Sequence, residues 1–440
     1  MSPGGHSGAS ASRSSGGLPA PVALRPLPAT LAGPPSARWT ATMAVLGSCS
    51  VAAVAVLTWL ASAAWFRLDE AVYLLGAHHL GDGRLYQVGL PTVPHLPFTY
   101  PPAAALAFWP LAALPDLAAR ACWALVQVGS LLALIGLSLR AAAPGADARR
   151  TWLWAAVLCG PAYLLDPVRL TIYFGQVNLV LAAVVLADLT VPVRVGRVTL
   201  PRGVLIGLAG AVKLVPLIFV PFLALTGRLR AAAWAAGSFL AATAAAALVT
   251  PDASWSYWTR HVRDAARVGE PGFFLNQSLL GVADRAVHHH LAAGTAAVAE
   301  VAVAVAGLLV ARAAHRAGSP FLAVVACAAT GLLASPISWQ HHAVWVVPAL
   351  VWLAVAPDRP AGGPVVAVVG FALVWWSPLE QTGGPPGWRH LHGWTQVAGA
   401  STFLLVVAGL AGTATLAVLR RRRGLSGAAC PAPTAATAPC

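Results

Sequence analysis

The acidic pair Asp69-Glu70 follows closely on a long apolar stretch that ends near residue 64. If that stretch spans a membrane, a carboxylate here can be reached by a lipid-linked group and by a substrate in water. Asp69 is therefore a candidate general base, and Glu70 is the alternative because it is adjacent. A solvated loop acid, or one paired with Arg67, is the purely structural interpretation.

Two further features could handle a negative charge. Lys213 is the only lysine of the chain and lies inside an apolar segment, where an ammonium is costly unless it is paired or hydrated. Snorkelling of Lys213 to the interface is the alternative. His341 and His342 occupy a short polar turn; helical neighbours point about 100° apart and rarely chelate one ion, so a proton or hydrogen-bond role fits better.

Amide, aromatic and arginine side chains accompany these residues. The amides and tyrosines suit sugar hydroxyls and sugar faces, or contacts between helices. The arginines suit a phosphate, or lipid headgroups. The amide and tyrosine candidates for sugar or acceptor binding are Tyr86, Tyr100, Gln176, Asn178, Asn276 and Gln277, and the arginine candidates for phosphate binding are Arg260, Arg267 and Arg285.

Such a set is typical of transfer from a sugar phosphate. Glycoside hydrolysis normally needs two carboxylates, one of which protonates the leaving oxygen. A phosphate leaves as an anion, so one general base and nearby cations are enough. Nucleotide sugars are absent outside the cell, and a donor used there would be lipid-linked.

The elements that position these residues are membrane helices. The chain has 440 residues, 58% of them hydrophobic and 10% charged, with a mean hydropathy of +0.72; soluble domains carry about 25% charged residues. The apolar runs are continuous rather than alternating, which indicates helices and not barrel strands. The net charge of +14 is explained by cytoplasmic arginines better than by nucleic-acid binding. Six cysteines show no metal-type spacing.

We predict an all-α polytopic membrane protein with about 10–12 membrane segments. Residues 1–42 are predicted to be a disordered cytoplasmic tail, 43–419 the membrane domain, and 420–440 a basic and then disordered cytoplasmic tail; translation could start at Met1 or Met43. The predicted spans are 43–64, 119–139, 151–167, 176–191, 231–250, 294–312, 319–335, 343–356, 363–378 and 395–419.

The arginines predict the orientation. If the arginine-bearing loops between spans face the cytoplasm, both termini are inside and the polar segments 66–118, 251–293 and 378–394 face outward. Residues 203–226 have arginines at both ends, so a single crossing would invert every later loop. We therefore predict a re-entrant hairpin there, broken around Lys213–Pro216 because proline removes a backbone donor.

Several motifs resemble glycosyltransferase family 87, a membrane-bound group of the GT-C type. They occur in the family's order from about residue 65 to 350. The matching positions are Asp69 with Tyr73 and Tyr86, Phe98-Thr99-Tyr100-Pro101-Pro102, Gly175-Gln176-Val177-Asn178, Gly207 with Lys213-Leu214-Val215-Pro216, Asn276-Gln277-Ser278-Leu279, and Ser335-Pro336-Ile337-Ser338-Trp339 with His341-His342.

The resemblance implies a GT-C-type helical bundle in the plasma membrane, with its active site in extracytoplasmic loops. It implies an actinobacterial inverting α-(1→2)-mannosyltransferase that uses polyprenyl-phosphate-mannose and extends a phosphatidylinositol mannoside, lipomannan or lipoarabinomannan. Asp69 would be the base, and Lys213, an arginine or His341 and His342 would meet the donor phosphate. No cofactor or metal is expected, and no nucleic acid. Another lipid-linked sugar such as arabinofuranose, or a transporter or flippase, remains the alternative.

Overall fold

The computed structural model describes residues 26, 28, 30–33, 35–64, 67–91, 95–287 and 290–377. Almost all regular structure in these residues is helical. The helices are α1 (Ala37–Ala64), α2 (Leu68–His78), α3 (Pro102–Ala112), α4 (Asp116–Ala142), α5 (Ala148–Leu164), α6 (Asp166–Phe174), α7 (Asn178–Thr190), α8 (Val204–Val212), α9 (Phe219–Leu225), α10 (Leu229–Val249), α11 (Pro251–Thr259), α12 (Leu279–Val287), α13 (Ala293–Arg316), α14 (Pro320–Ala334), α15 (Val346–Val355) and α16 (Gly363–Trp376).

Short elements complete the described chain. Strands β1 (Gly89–Leu90) and β2 (Leu96–Pro97) form one antiparallel ribbon, and β3 (Arg194–Val195) and β4 (Val198–Thr199) form another. The 3₁₀ segments are Val215–Ile218, His261–Arg263, Ala265–Arg267 and Gln340–Trp345.

Four described helices are long and apolar enough to cross a membrane alone: α1, α4, α10 and α13. Several predicted spans instead form apolar helices of 10–17 residues, among them α7, α14 and α16, which fall short of the roughly 20 residues that one crossing needs. The chain is an all-α polytopic membrane protein. Helix α1 begins at Ala37, within the stretch predicted to be a disordered tail. The predicted span 395–419 and the tail 420–440 lie outside the described residues.

The predicted span 151–167 ends in a sharp bend that the sequence analysis missed. Helices α5 and α6 meet at an angle of 84°, so the chain turns sharply at the end of the predicted span and continues as helix α6. The break lies at Leu165, whose backbone is extended. Pro167 explains why α5 does not continue, since proline has no N–H to bond to the carbonyl four residues earlier, that of Tyr163, and it is tolerated in the first turn of a new helix. The chain thus contains a second broken segment besides the one predicted at Lys213.

Helices α8 and α9 form the predicted hairpin. A Cβ on Gly203 would meet Ala231, and one on Gly207 would meet Ala235, so α8 runs in the same direction as α10. Helix α9 precedes α10, packs along it and is joined to it by a turn at Gly227, so α9 runs opposite to α8. The break lies at Lys213, which is extended with φ −150° and ψ 129°. Lys213 therefore sits at the tip of a short hairpin whose two ends lie at the same level.

Helix α4 forms the centre of the bundle and packs against α5, α7 and α15. Its buried side chains Leu131, Leu134 and Ile135 belong to the main apolar core. Several segments predicted to face outward gather at one end of this core: Tyr86 stacks on Tyr257, and the backbone of Asn276 pairs with that of Trp339. This end carries the candidate site.

Candidate active site

Asp69 lies in the first turn of α2, a short helix outside the membrane-length helices. The Tyr100 hydroxyl donates a hydrogen bond to Asp69 Oδ1 over 3.3 Å. Burial raises the pKa of Asp69 to about 6, although the charge of Lys213 and hydrogen bonds from Tyr100 and Gln176 act in the opposite direction. A carboxylate with this pKa is ionised near neutral pH and remains basic enough to accept a proton.

Glu70, the alternative base, is turned away from Asp69's partners. Its carboxylate is buried and lies 2.6 Å from the Arg67 guanidinium, which also lies 3.1 Å from Asp116. Burial raises the pKa of Glu70 to about 7 in spite of Arg67. Arg67 thus pairs with Glu70 and Asp116. This geometry favours Asp69 as the base.

Gln176 connects the carboxylate to the cation. Its Nε2 donates to the Tyr100 hydroxyl over 2.9 Å, and its Oε1 lies 3.5 Å from Lys213 Nζ. The same oxygen accepts a 2.6 Å hydrogen bond from the hydroxyl of Tyr73, a fully buried residue one helical turn after Asp69. Tyr73 was quoted only as part of the family pattern; its position at i+4 from Asp69 is the signal that places both on one helix face.

The turn that presents Gln176 is held from behind by α4. Gly175 ends α6 in the left-handed region, with φ 68°. Its carbonyl accepts a hydrogen bond from Trp123 Nε1 over 2.8 Å, and the Gln176 carbonyl accepts one from Gln127 Nε2 over 2.7 Å. Two side chains of the central helix therefore fix the backbone between α6 and α7.

Lys213 meets the predicted amide and imidazole residues at the hairpin tip. Its Nζ donates to Asn178 Oδ1 over 2.9 Å and lies 3.1 Å from His342 Nε2. It also lies 5.7 Å from the centre of the Tyr100 ring, within range of a cation–π contact. Since an ammonium can only donate, His342 Nε2 is the accepting nitrogen and the proton of a neutral ring is on Nδ1.

The two histidines carry unpaired nitrogens beside this ammonium. His342 Nδ1 and His341 Nε2 are buried and have no hydrogen-bond partner among the described residues. The His341 carbonyl is fixed by Thr171 Oγ1 at 2.6 Å and Asn178 Nδ2 at 2.9 Å. Buried polar atoms without partners are costly, and the Nδ1 proton of His342 is available to a ligand oxygen. Thr171 was not among the predicted site residues.

An apolar cavity opens from this cluster between the helices. Lys213, Asn178 and His342 line one part of it. The rest of its lining is apolar and comes from α7, from the returning arm of the hairpin, from α14 and from the segment after His342. Three of these residues, Leu181, Ala182 and Val185, follow Asn178 along α7. The lining thus joins an apolar surface to the charged group at Lys213.

A second wall of the site is aromatic and contains Tyr86. Its ring stacks on Tyr257 with centroids 5.7 Å apart, and its hydroxyl donates to the Tyr100 carbonyl over 2.7 Å. Arg267 lies 5.8 Å from the centre of the Tyr86 ring and its Nη2 lies 3.4 Å from the carbonyls of Tyr86 and Phe98. The structure thus links Tyr86 and Arg267 to Tyr100, but not directly to Lys213.

Asn276, Gln277 and Arg285 lie at a junction between two loops. Asn276 Nδ2 donates to the carbonyls of Pro271 and Pro336, and its Oδ1 accepts from two backbone amides. Gln277 pairs by its backbone N–H with the Ser338 carbonyl, and Arg285 Nη1 donates to the Phe273 and Asn276 carbonyls. These contacts hold the junction together, while Gln277 Oε1 and Arg285 Nε and Nη2 are buried without a hydrogen-bond partner among the described residues. Sugar or phosphate binding by these residues stays a prediction.

Arg260 is exposed at the end of α11, and no contact joins it to Asp69 or Lys213 in the described part of the chain. The phosphate role predicted for Arg260 therefore gains no support from its position. Within the described residues, no group of three or more histidine, cysteine or acidic side chains could hold a metal ion. Independence from metal stays a prediction.

Comparison with known proteins shows which family the chain resembles. The model of glycosyltransferase family 87 matches residues 98–336, a range that includes Gln176 and Lys213 but not Asp69, His341 or His342. Two mycobacterial relatives are named polyprenol-phosphate-mannose-dependent alpha-(1-2)-phosphatidylinositol mannoside mannosyltransferase. The Mycobacterium tuberculosis protein is 33% identical over 84% of this chain and 90% of its own length; the Mycolicibacterium smegmatis protein is 34% identical over 78% and 83%.

A third relative, also from Mycobacterium tuberculosis, is named for a phosphatidylinositol pentamannoside acceptor and is 35% identical over 77% of this chain and 78% of its own length. No solved structure matches the chain. The family model covers more than half of the chain, and the relatives cover most of it. The chain belongs to glycosyltransferase family 87.

Proposed function

We propose that this glycosyltransferase moves mannose from polyprenyl-phosphate-mannose to a mannoside of the phosphatidylinositol mannoside type, forming an α-(1→2) linkage. The names of the relatives support this donor and linkage. They differ in acceptor, which is a phosphatidylinositol mannoside in two of them and a pentamannoside in a third. The acceptor class is therefore proposed, and the number of mannoses is left open.

Asp69 would act as the general base of this reaction. It takes the proton of the acceptor hydroxyl, whose oxygen attacks the anomeric carbon of the donor mannose. The bond between that carbon and the phosphate oxygen breaks, and polyprenyl phosphate leaves as an anion. Attack from the face opposite the phosphate converts a β-linked donor into an α-mannoside.

Lys213 and His342 would hold the departing phosphate. The ammonium supplies a positive charge, and the proton on His342 Nδ1 supplies a donor without a partner in the described residues. Preorganised donors of this kind stabilise charge that develops in the transition state. The apolar cavity beside Lys213 would take the first isoprene units of the donor.

The observation that carries the proposal is the connection between base and cation. Asp69, Tyr100, Gln176 and Lys213 form one continuous polar contact network, and Lys213 also lines an apolar cavity. A transferase that uses a lipid phosphate needs a base, a phosphate site and a lipid site close together. The aromatic wall that contains Tyr86 and Tyr257 would face the acceptor sugar.

We also propose that this end of the bundle faces the outside of the plasma membrane and that both termini are cytoplasmic. The arginine distribution supports that orientation. It would give the enzyme access to a lipid-linked donor and to a glycolipid acceptor in the outer leaflet.

The proposal can be tested with a panel of lipid-linked donors. Purified protein is given radiolabelled polyprenyl-phosphate-mannose or polyprenyl-phosphate-arabinofuranose with a synthetic α-mannoside. We expect label in the acceptor from the mannose donor only, and release of that label by an α-(1→2)-specific mannosidase but not by an α-(1→6)-specific one. Transfer from the arabinofuranose donor alone would overturn the donor assignment. Activity that EDTA abolishes and Mg²⁺ or Mn²⁺ restores would overturn metal independence.

A further inference from the structure

Tyr73 lies next to the candidate site and is not exposed to solvent. Its ring stacks on Phe108 with centroids 4.3 Å apart and an interplanar angle of 11°, and it is fully buried. Its hydroxyl nevertheless has three polar neighbours: Gln176 Oε1 at 2.6 Å, the Tyr100 hydroxyl at 3.3 Å and the Val177 N–H at 3.4 Å. A substrate has no access to this hydroxyl.

The hydrogen-bond directions around Gln176 follow from groups that can only donate. The Val177 N–H and the Lys213 ammonium both face Oε1, at 3.2 Å and 3.5 Å. That fixes the amide orientation, because a reversed amide would turn its NH₂ group towards two donors. Nε2 therefore faces Tyr100 and donates to its hydroxyl over 2.9 Å.

The same logic fixes the proton of Tyr100. Its hydroxyl already accepts from Gln176, and the proton of Tyr73 goes to the much closer Gln176 Oε1. The Tyr100 proton is then directed to Asp69 Oδ1 at 3.3 Å. Oδ1 of the carboxylate is engaged in this way.

We propose that Tyr73 is a positioning residue for the base, which acts through Gln176 and Tyr100 to fix the orientation and the charge state of Asp69. This inference rests on the proposed role of Asp69. It assigns no contact between Tyr73 and substrate. A hydrogen bond donated to a carboxylate favours its ionised form, so the relay keeps the base ready in spite of its burial.

The groups that act on Asp69 come from each neighbouring element. Lys213 approaches from the hairpin tip with His342 behind it, Tyr100 from the segment before α3, and Gln176 from the turn before α7. Tyr73 is on α2 itself, as are Glu70 and its partner Arg67 at the helix start. Among these residues, only Tyr73 has a hydroxyl that can be removed while every direct contact to Asp69 and to Lys213 is kept.

The test is the titration of Asp69 in the purified full-length protein by infrared difference spectroscopy, with Asp69→Asn subtracted to isolate the carboxyl band. It compares wild type with Tyr73→Phe, which keeps the ring and removes the hydroxyl, and with Tyr163→Phe as a matched control on α5. We expect Tyr73→Phe to raise the pKa of Asp69 by about half a unit, since one hydrogen bond of ordinary strength is weakened. Tyr163→Phe should leave it unchanged.

A second pair of variants separates the relay from a packing effect. Tyr100→Phe should raise the same pKa, and Tyr73→Phe combined with Tyr100→Phe should raise it no further, because residues in one chain of contacts are not additive. In transfer assays below pH 6, Tyr73→Phe should lower the rate by up to about threefold with the donor KM unchanged, because a pKa raised by half a unit leaves less of the base ionised there. An unchanged Asp69 titration in Tyr73→Phe, or additive shifts in the double variant, would overturn the proposal. The titration needs no turnover, so an inactive wild type would speak against the proposed function alone.

Discussion

At the residue scale, the account depends on two adjacent acids with different partners. Asp69 contacts Tyr100 and is connected through Gln176 to Lys213, whereas Glu70 forms an ion pair with Arg67. The two carboxylates are adjacent on α2, yet one lies at the site and the other pairs with Arg67 at the start of the helix. This distinction could not be read from the sequence, which places both acids directly after the same apolar stretch.

The ionisation of Asp69 predicts the pH dependence of the reaction. A base works only when deprotonated, and burial raises its pKa to about 6. The rate should therefore fall about tenfold per pH unit below that value and level off above it. The ratio kcat/KM between pH 4.5 and 8 would measure this, because it reports ionisation of the free enzyme. The fall in rate at low pH should persist in Glu70→Gln. If it disappears in that variant, the pH dependence belongs to Glu70.

Lys213 should matter for the chemical step more than for folding. Replacement by methionine removes the only ammonium beside His342 in the described site, and kcat should fall by about two orders of magnitude. Lys213→Arg, which keeps the charge, should retain more activity. Single-turnover rates with pre-bound donor would compare the two. Equal rates for Lys213→Met and wild type would show that the phosphate is held elsewhere.

At the element scale, broken helices build the site. The bend before α6 redirects the chain, and the turn after α6 presents Gln176 and Asn178. The hairpin tip presents Lys213. Both breaks lie next to a proline, Pro167 in one and Pro216 in the other. The sequence predicted the second because Lys213 and the flanking arginines drew attention to it. The first was missed, because an apolar run through Pro161 and Pro167 reads as one continuous span.

Gly175 should be sensitive to any side chain. It is left-handed with φ 68°, and a Cβ would lie 2.7 Å from the Cβ of Glu70. Gly175→Ala should therefore destabilise the protein by about 1–3 kcal/mol and lower activity. Gly196→Ala is the matched control, since Gly196 also has a positive φ of 58° but no atom within 4 Å of a built Cβ. Thermal unfolding in detergent would compare the variants, and equal losses at both positions would contradict the steric argument.

At the scale of the whole molecule, the family motifs converge from distant parts of the chain. Residues 69, 100, 176, 213 and 342 meet although more than 270 positions separate the first from the last. Composition and periodicity predicted the helical membrane fold, and the family motifs predicted Asp69, Lys213, Gln176, Asn178 and His342 as site residues. Asn276, Gln277 and Arg285 were predicted alongside them, and the sequence does not show that these three lie at a loop junction, because the contacts of a polar residue depend on the folded chain.

The orientation in the membrane is testable with two matched substitutions. In a protein whose six native cysteines are replaced, Arg263→Cys and Arg197→Cys each put a thiol at an exposed arginine position. Arg263 is in the segment predicted to face outward and Arg197 in a predicted cytoplasmic loop, so an impermeant maleimide added to intact cells should label Arg263→Cys only. Both should react after permeabilisation. Labelling of Arg197→Cys alone in intact cells would reverse the proposed topology.

The most direct test of the central claim is mannosyl transfer by Asp69→Asn. Wild type, Asp69→Asn and Glu70→Gln are assayed at matched protein amounts with radiolabelled polyprenyl-phosphate-mannose and a short α-mannoside. Loss of the base should lower the rate by at least about a thousandfold in Asp69→Asn, while Glu70→Gln keeps measurable transfer and all three proteins remain in the membrane. Wild-type transfer by Asp69→Asn, with loss confined to Glu70→Gln, would contradict the assignment of the base.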